Sequence, residues 1–208
     1  MLERLRSGWT KLIRPLALGL LKLGITPDMV TWTGTIATVV IATVCFPQGW
    51  LWQGVLLLLL VIFSDTLDGT MAREAGTSSN WGAFLDSTLD RIADGAIFGS
   101  LALYFVIQEQ SAQWAAITVG ALVFAQVTSY SKARGEAVGV SVKAGLVGRP
   151  DRLVIGLLGA LLTGLGLTWA LPVAMLLVLL GGVFTVGQRM MIVRRATRQP
   201  GQTKPDEI

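Results

Sequence analysis

Long apolar stretches separated by short polar segments dominate the chain. Runs of about 20 apolar residues recur along it, and this is the length that an α-helix needs to cross a bilayer. The last apolar stretch, of roughly 40 residues, is too long for one span, and its Gly164, Gly166 and Pro172 predict a hairpin. We therefore predict an all-α integral membrane protein with six transmembrane helices, near residues 29–47, 50–72, 82–107, 112–131, 153–169 and 172–193.

The two ends of the chain differ from these runs. Residues 1–23 are basic and amphipathic, which predicts an N-terminal helix lying in the membrane interface near anionic lipid headgroups. A signal peptide also begins basic and turns apolar, but Lys22 interrupts this run and no small-residue cleavage pattern follows. We expect an interfacial helix over 1–23, one six-helix domain over 24–195 and a polar cytoplasmic tail over 196–208.

The basic residues indicate how the helices are oriented. Six spans place both termini on one side of the membrane, and all 17 Lys and Arg residues then fall in segments on that side. The connections on the other side contain one charged residue, Glu109. Because Lys and Arg are enriched in cytoplasmic segments, we predict a multi-pass protein of the cell membrane with cytoplasmic termini. Membrane lipids, and not nucleic acid, are the partners expected for its basic surface.

Four aspartates interrupt the apolar pattern at the ends of two consecutive predicted helices. Asp65 and Asp68 are three residues apart, and Asp86 and Asp90 are four residues apart. Residues at these spacings share one helix face. Since the two helices are antiparallel neighbours, we expect all four carboxylates to meet at the cytoplasmic edge of the membrane. Asp94 extends the second pair by one turn, and we expect it to be a structural partner for an arginine or a backbone group.

Such a cluster favours bound cations. The carboxylates repel one another and burial raises each pKa further, so divalent ions would stabilise the arrangement. An all-oxygen set in a chain without histidine selects Mg²⁺ or Mn²⁺. Two ions in such a site hold a phosphate during in-line displacement, and a carboxylate is then the natural general base. Acids that are merely solvated at helix ends, or a divalent-cation transporter, are the alternatives.

The acidic segment follows the pattern D-x2-D-G-x2-A-R-x8-G-x3-D-x3-D from residue 65 to residue 90. It resembles the complete signature of the CDP-alcohol phosphotransferases, and the six-helix architecture agrees with that family. The resemblance implies that Asp65, Asp68 and Asp86 bind two divalent ions. It also implies that Asp90 contacts one of these ions and is the catalytic base.

The same resemblance implies a binding site for CDP-diacylglycerol. Gly69 leaves room for close approach of a ligand, and Arg73 can pair with a phosphate. The segment ITPDMVT is similar to the family's Thr-Pro segment at the start of the first span, although Pro27 is also typical of an ordinary helix start. The residues expected to contact CDP-diacylglycerol are Asp28, Met29, Val30, Thr31, Gly69, Arg73 and Ser79.

Residues at the cytoplasmic ends of the last three predicted helices bear on the second substrate. The enrichment of Lys and Arg on the cytoplasmic side and the binding of anionic lipids account for most of these basic residues. Cations around an acidic site nevertheless also suit an acceptor that carries a phosphate. The strings SYSKARGEAVGV and GRPDRLVI are similar to those of actinobacterial family members that use myo-inositol 3-phosphate. Glycerol 3-phosphate is the alternative acceptor. The residues expected to bind the acceptor phosphate are Ser129, Lys132, Arg149, Arg152 and Arg195.

A homodimer is expected as the assembly. Gly95 and Gly99 form a small-xxx-small pair of the kind that permits close helix packing. Such pairs are common in membrane helices, so the sequence does not locate the dimer interface.

Overall fold

Helices and short turns account for the described part of the chain. The computed structural model describes residues 15–76, 79–142 and 145–198, apart from the side chains of 63–68 and 198. These residues contain no β-strand. The helices are α1 (of which residues 15–22 are described), α2 (Pro27–Cys45), α3 (Leu51–Glu74), α4 (Asn80–Ile107), α5 (Ala112–Ala137), α6 (Arg149–Gly164) and α7 (Ala170–Arg198).

The six apolar patterns are confirmed as helices, α2 to α7, but several bounds differ from the predicted ones. Helix α5 continues to Ala137 and α6 begins at Arg149. Helix α7 reaches Arg198 and so enters the predicted tail. These extensions contain Lys, Arg, Glu and Ala, which favour helix although they end an apolar run. The rest of the tail and the first part of the predicted interfacial helix lie outside the described residues.

The predicted hairpin between α6 and α7 is confirmed. The chain turns over residues 165–169, and Gly166 adopts a φ of +107° that favours glycine. The hydroxyl of Thr163 accepts a hydrogen bond from the backbone N–H of Leu171 at 2.9 Å. Pro172 lies inside the first turn of α7 and not in the connection, where its fixed φ is compatible with a helix start.

Exposed apolar side chains agree with a helical membrane protein. By length and composition, three of the described helices are long and apolar enough to cross a membrane: α2, α5 and Ala170–Thr197 within α7. Helix α3 contains a shorter apolar stretch, Leu51–Ile62. Large apolar side chains are exposed along these helices, including Leu60 at 71%. Exposed apolar side chains along several helices are typical of a surface that contacts lipid or another protein.

The chain divides into two compact units, Met1–Gln110 and Ser111–Ile208. In the first unit, α2 packs against both α3 and α4. The end of α2 lies close to the start of α3, since a Cβ on Gly54 would be 2.8 Å from Cε1 of the buried Phe46. The other end of α2 therefore lies beside the signature residues at the end of α3. The single six-helix domain over 24–195 stays a prediction.

In the second unit, α7 packs against both α5 and α6. A Cβ on Gly159 would be 2.5 Å from the Cβ of Ala174, so the glycine allows α6 and α7 to approach closely. The segment before α6 is also attached to α7, because the N–H of Val147 donates to Thr185 Oγ1 at 3.1 Å. The start of α6 and the last turns of α7 consequently lie at the same end of this unit.

Candidate functional site

The aspartates of α4 become progressively buried along the helix. Asp86 is exposed, the side chain of Asp90 is 15% exposed and that of Asp94 is fully buried. Arg91 lies between the last two, with Nη2 3.5 Å from Asp90 Oδ2 and Nε 3.9 Å from Asp94 Oδ2. The expectation that Asp94 pairs with a nearby arginine is confirmed. Asp94 therefore holds Arg91 beside the predicted catalytic base.

The other half of the acidic signature lies on α3. Asp65 and Asp68 are part of this helix, but their side chains lie outside the described part of the chain. A Cβ on the exposed Gly69 would meet no described atom within 4 Å, so the described residues leave space for a ligand beside this position. Arg73 Nη2 donates to Thr70 Oγ1 at 3.2 Å. The last turns of α3 thus combine an accessible backbone position with a guanidinium group.

The donor atoms of this region suit a hard divalent cation. Asp86 and Asp90 present carboxylates one turn apart on α4, and the chain contains no histidine. Its one cysteine, Cys45, is buried at the far end of α2. Oxygen ligands of this kind fit Mg²⁺ or Mn²⁺. The complete four-aspartate ion site stays a prediction, because two of its side chains are not described.

The start of α2 is capped and then tied to α4. Thr26 Oγ1 accepts the N–H of Met29 at 3.3 Å, and Pro27 lies in the first turn, as expected for a helix start. Asp28 Oδ2 accepts a hydrogen bond from Trp81 Nε1 at 3.1 Å. Because Trp81 is the second residue of α4, this contact orients the predicted nucleotide-binding segment relative to the helix that carries Asp90.

Two other predicted nucleotide contacts have local structural roles. Ser79 is the N-cap of α4, and its hydroxyl accepts the N–H of Gly82 at 3.1 Å. The Thr31 hydroxyl donates to the carbonyl oxygen of Pro27 at 3.1 Å. A capping serine uses an oxygen lone pair and keeps its own O–H. Capping by Ser79 is therefore compatible with donation to a ligand.

In the second unit, two residues of the predicted acceptor pocket are in direct contact. Arg152 is only 2% exposed, and its Nη2 donates to Ser129 Oγ at 3.2 Å. Ser129 lies on α5 and Arg152 in the first turns of α6. The hydrogen bond therefore orients a buried guanidinium between these two helices.

Arg189 belongs to the same cluster and was missed by the sequence prediction. It is 7% exposed, its Nη1 donates to the carbonyl oxygen of Thr128, and its charge is close enough to Arg152 for repulsion. Glu136 attracts it in turn. The sequence did contain a signal, because Arg189 interrupts an apolar run predicted to span the membrane. A charge in such a run is a functional candidate by default.

The remaining predicted pocket residues are less buried. Lys132 is exposed, and its Nζ lies 4.0 Å from Glu136 Oε1. Arg149 is the first residue of α6 and is half-buried, while Arg195 is exposed on the last turns of α7. The structure therefore groups Ser129 and Arg152 with Arg189, whereas Lys132 has an ion pair on its own helix.

Relatives of known function extend over nearly the whole chain. The chain is 50% identical over 204 residues to a phosphatidylinositol phosphate synthase of Cutibacterium acnes, covering 94% of this chain and 99% of that protein. It is 42% identical over 203 residues to the synthase of the same name from Mycolicibacterium smegmatis, covering 96% and 90%. Sequence similarity of this extent includes both units.

Solved structures show the same architecture. The Mycobacterium tuberculosis phosphatidylinositol phosphate synthase with CDP-DAG bound has a TM-score of 0.86 at 39% identity, covering 95% of this chain and 100% of that chain. The same enzyme in complex with manganese and citrate has a TM-score of 0.85 at 39% identity, covering 94% and 93%.

The signature, the helical fold and these relatives agree with one another. The CDP-alcohol phosphatidyltransferase family model matches residues 24–187, which is well over half of the chain. The resemblance carried by the aspartates is thereby confirmed, and the protein is a transferase. The chain belongs to the CDP-alcohol phosphatidyltransferase family.

Proposed function

We propose that this protein transfers the phosphatidyl group of CDP-diacylglycerol to 1D-myo-inositol 3-phosphate in phospholipid biosynthesis. The products are phosphatidylinositol phosphate and CMP. The observation that carries the proposal is the 50% identity, over 99% of its length, to a synthase named for this product. The related structure with CDP-DAG bound supports the choice of donor.

The location of the reaction follows from the distribution of charge. We propose six spans, with both termini and the active site on the cytoplasmic side of the cell membrane. All 17 basic residues then belong to the cytoplasmic segments or to the adjoining helix ends, in accordance with the orientation rule. The lipid tails of the donor remain in the bilayer while its nucleotide is reached from the cytosol. A homodimer is part of the proposal.

The four aspartates of the signature are proposed to hold two divalent ions, Mg²⁺ or Mn²⁺. The related structure in complex with manganese supports a divalent site. When bound, the ions supply electrostatic stabilisation of charge on the pyrophosphate. The protein ligands are Asp65, Asp68, Asp86 and Asp90.

Asp90 acts as the general base in this scheme. It accepts the proton of the acceptor hydroxyl, whose oxygen then forms a new bond to the phosphorus that carries diacylglycerol. The bond from that phosphorus to the CMP oxygen breaks, and CMP leaves. Arg91, 3.5 Å from Asp90, restrains the carboxylate so that it stays oriented toward the incoming hydroxyl. Gly69, Arg73, Ser79 and the segment 28–31 bind the CDP group.

The acceptor phosphate is proposed to bind the basic residues of the second unit. Arg152 is the central ligand because it is buried and already oriented by Ser129. Arg189 adds a second buried cation beside it. Phosphate accepts charge-assisted hydrogen bonds from such guanidinium groups. Lys132, Arg149 and Arg195 complete the proposed set.

An acceptor panel tests the proposal. Purified protein in nanodiscs receives CDP-diacylglycerol, Mg²⁺ and either inositol 3-phosphate, glycerol 3-phosphate, serine or no acceptor, and both CMP and the lipid product are measured. We expect CMP release that depends on inositol 3-phosphate. A preference for glycerol 3-phosphate would show that the acceptor was wrongly assigned, but phosphatidyl transfer from CDP-diacylglycerol would still be the reaction. Cation flux in liposomes with no CMP release from any acceptor would favour a transporter instead.

A further inference from the structure

Helix α1 packs on residues that belong to the proposed nucleotide site. Ala17 of α1 and Met71 of α3 are both fully buried and lie in one apolar cluster. Met71 lies between Gly69 and Arg73 of the signature. The residues packed around this pair are Leu20, Leu21, Ile25 and Val30. Since Val30 belongs to the segment 28–31, this cluster joins α1 to both chain segments that are proposed to bind CDP.

The connection from α1 to α2 is short and hydrogen-bonded. Gly24 adopts a φ of +79°, which ends α1 in the manner typical of glycine after a helix. The N–H of Ile25 donates to the carbonyl oxygen of Leu20 at 3.1 Å. Thr26 then caps α2. The orientation of α1 is therefore linked directly to the first turn of α2.

The other side of α1 is apolar and exposed. Leu16 and Leu18 are 53% and 39% exposed, Lys22 is partly exposed, and Leu23, which directly follows the helix, is 78% exposed. Leucines beside a lysine on an amphipathic helix are typical of a segment lying in the membrane interface. The described part of α1 is thus packed into the cluster with Met71 and also carries exposed leucines that suit a membrane interface.

We propose that α1 is a positioning element of the CDP-diacylglycerol site. By packing Ala17 against Met71, it holds the last turns of α3 and the first turn of α2 in the arrangement that binds the nucleotide. This inference rests on the proposed function, because it assigns α1 to the donor site of that reaction.

Substitutions on the two sides of α1 test the inference. Ala17→Phe places a large ring in a fully buried position, whereas Leu18→Phe enlarges an exposed neighbour. Full-length variants in nanodiscs are assayed for kcat and for the KM of each substrate. We expect Ala17→Phe to raise the KM for CDP-diacylglycerol at least tenfold, with the KM for the acceptor within twofold of the wild type. Leu18→Phe should change neither constant by more than twofold.

A milder pair of variants covers the case in which Ala17→Phe does not fold. Leu20→Ala removes cluster contacts, and Leu23→Ala removes the exposed leucine that directly follows α1. We expect Leu20→Ala to raise the KM for CDP-diacylglycerol about threefold or more, and Leu23→Ala to leave this KM unchanged. Ala17→Ser, a small replacement, should retain the wild-type constants.

The outcomes separate the inference from the proposed function. Equal effects of the cluster and exposed variants, or equal changes in both KM values, would overturn the positioning role of α1. A wild-type protein that releases no CMP with any acceptor would instead overturn the proposed reaction. An active wild type with unaltered kinetics in Ala17→Phe and Leu20→Ala would refute the inference alone.

Discussion

Replacing Arg152 with alanine should raise the KM for inositol 3-phosphate and leave the KM for CDP-diacylglycerol nearly unchanged. Arg152 is 2% exposed, and its guanidinium is oriented by Ser129 at 3.2 Å. A buried, oriented cation loses little conformational freedom when it binds a phosphate. The phosphates of CDP-diacylglycerol are assigned to the ions and to Arg73. Binding of this donor should therefore not depend on Arg152.

The size of the effect follows from the burial of the side chain. A hydrogen bond to a charged group contributes about 1.5–3 kcal/mol. At about 1.4 kcal/mol per tenfold change, loss of one such bond raises the KM roughly 10- to 140-fold. Lys132 is 53% exposed and pairs with Glu136 at 4.0 Å. Exposed pairs contribute about 0.2–1 kcal/mol, so Lys132→Ala should change the same KM by about fivefold or less.

Steady-state kinetics in nanodiscs, with each substrate varied in turn, check this prediction. Arg134→Ala is a matched control, because it removes an exposed arginine from α5 that is not in the proposed pocket. Thermal unfolding of each variant reports whether the loss of a buried side chain has damaged the fold. Equal increases in the two KM values, or an effect of Arg152→Ala no larger than that of Arg134→Ala, would refute the reasoning.

Three further predictions concern the first unit. Asp90→Asn should retain CDP-diacylglycerol binding but lose about 100-fold or more in kcat, as expected for a general base; wild-type turnover would contradict this role. Asp86→Asn should raise the Mg²⁺ concentration needed for half-maximal activity about tenfold, and an unchanged Mg²⁺ titration would remove it from the ion site. Trp81→Phe removes the donor to Asp28 and should raise the KM for CDP-diacylglycerol about three- to tenfold, since such a bond contributes about 1 kcal/mol. Trp32→Phe is its control, and equal effects of both tryptophan variants would exclude the Asp28 contact as the cause.

The family signature was predictable because its information is local. The aspartates of the signature occur at spacings of three and four residues within two helices, so a reader of the sequence can place each pair on one helix face. The start of α2 was equally readable, since a threonine cap and a proline in the first turn act over a few residues. The helix bounds shifted mainly where charged residues continued a helix beyond its apolar part.

Contacts between residues distant in sequence were decided by packing alone. The hydrogen bonds Asp28–Trp81 and Ser129–Arg152 join separate helices. No periodic pattern in the sequence indicates such pairs. Arg189 was visible as a charge in an apolar run, but its hydrogen bond to the carbonyl oxygen of Thr128 became apparent only in the folded unit. The same holds for Ala17 and Met71. Sequence by itself determined the helices, their charge asymmetry and the family signature, because helix periodicity and capping depend on neighbouring residues. Tertiary structure decided which helix ends meet, because these contacts depend on how side chains that are distant in sequence pack against one another.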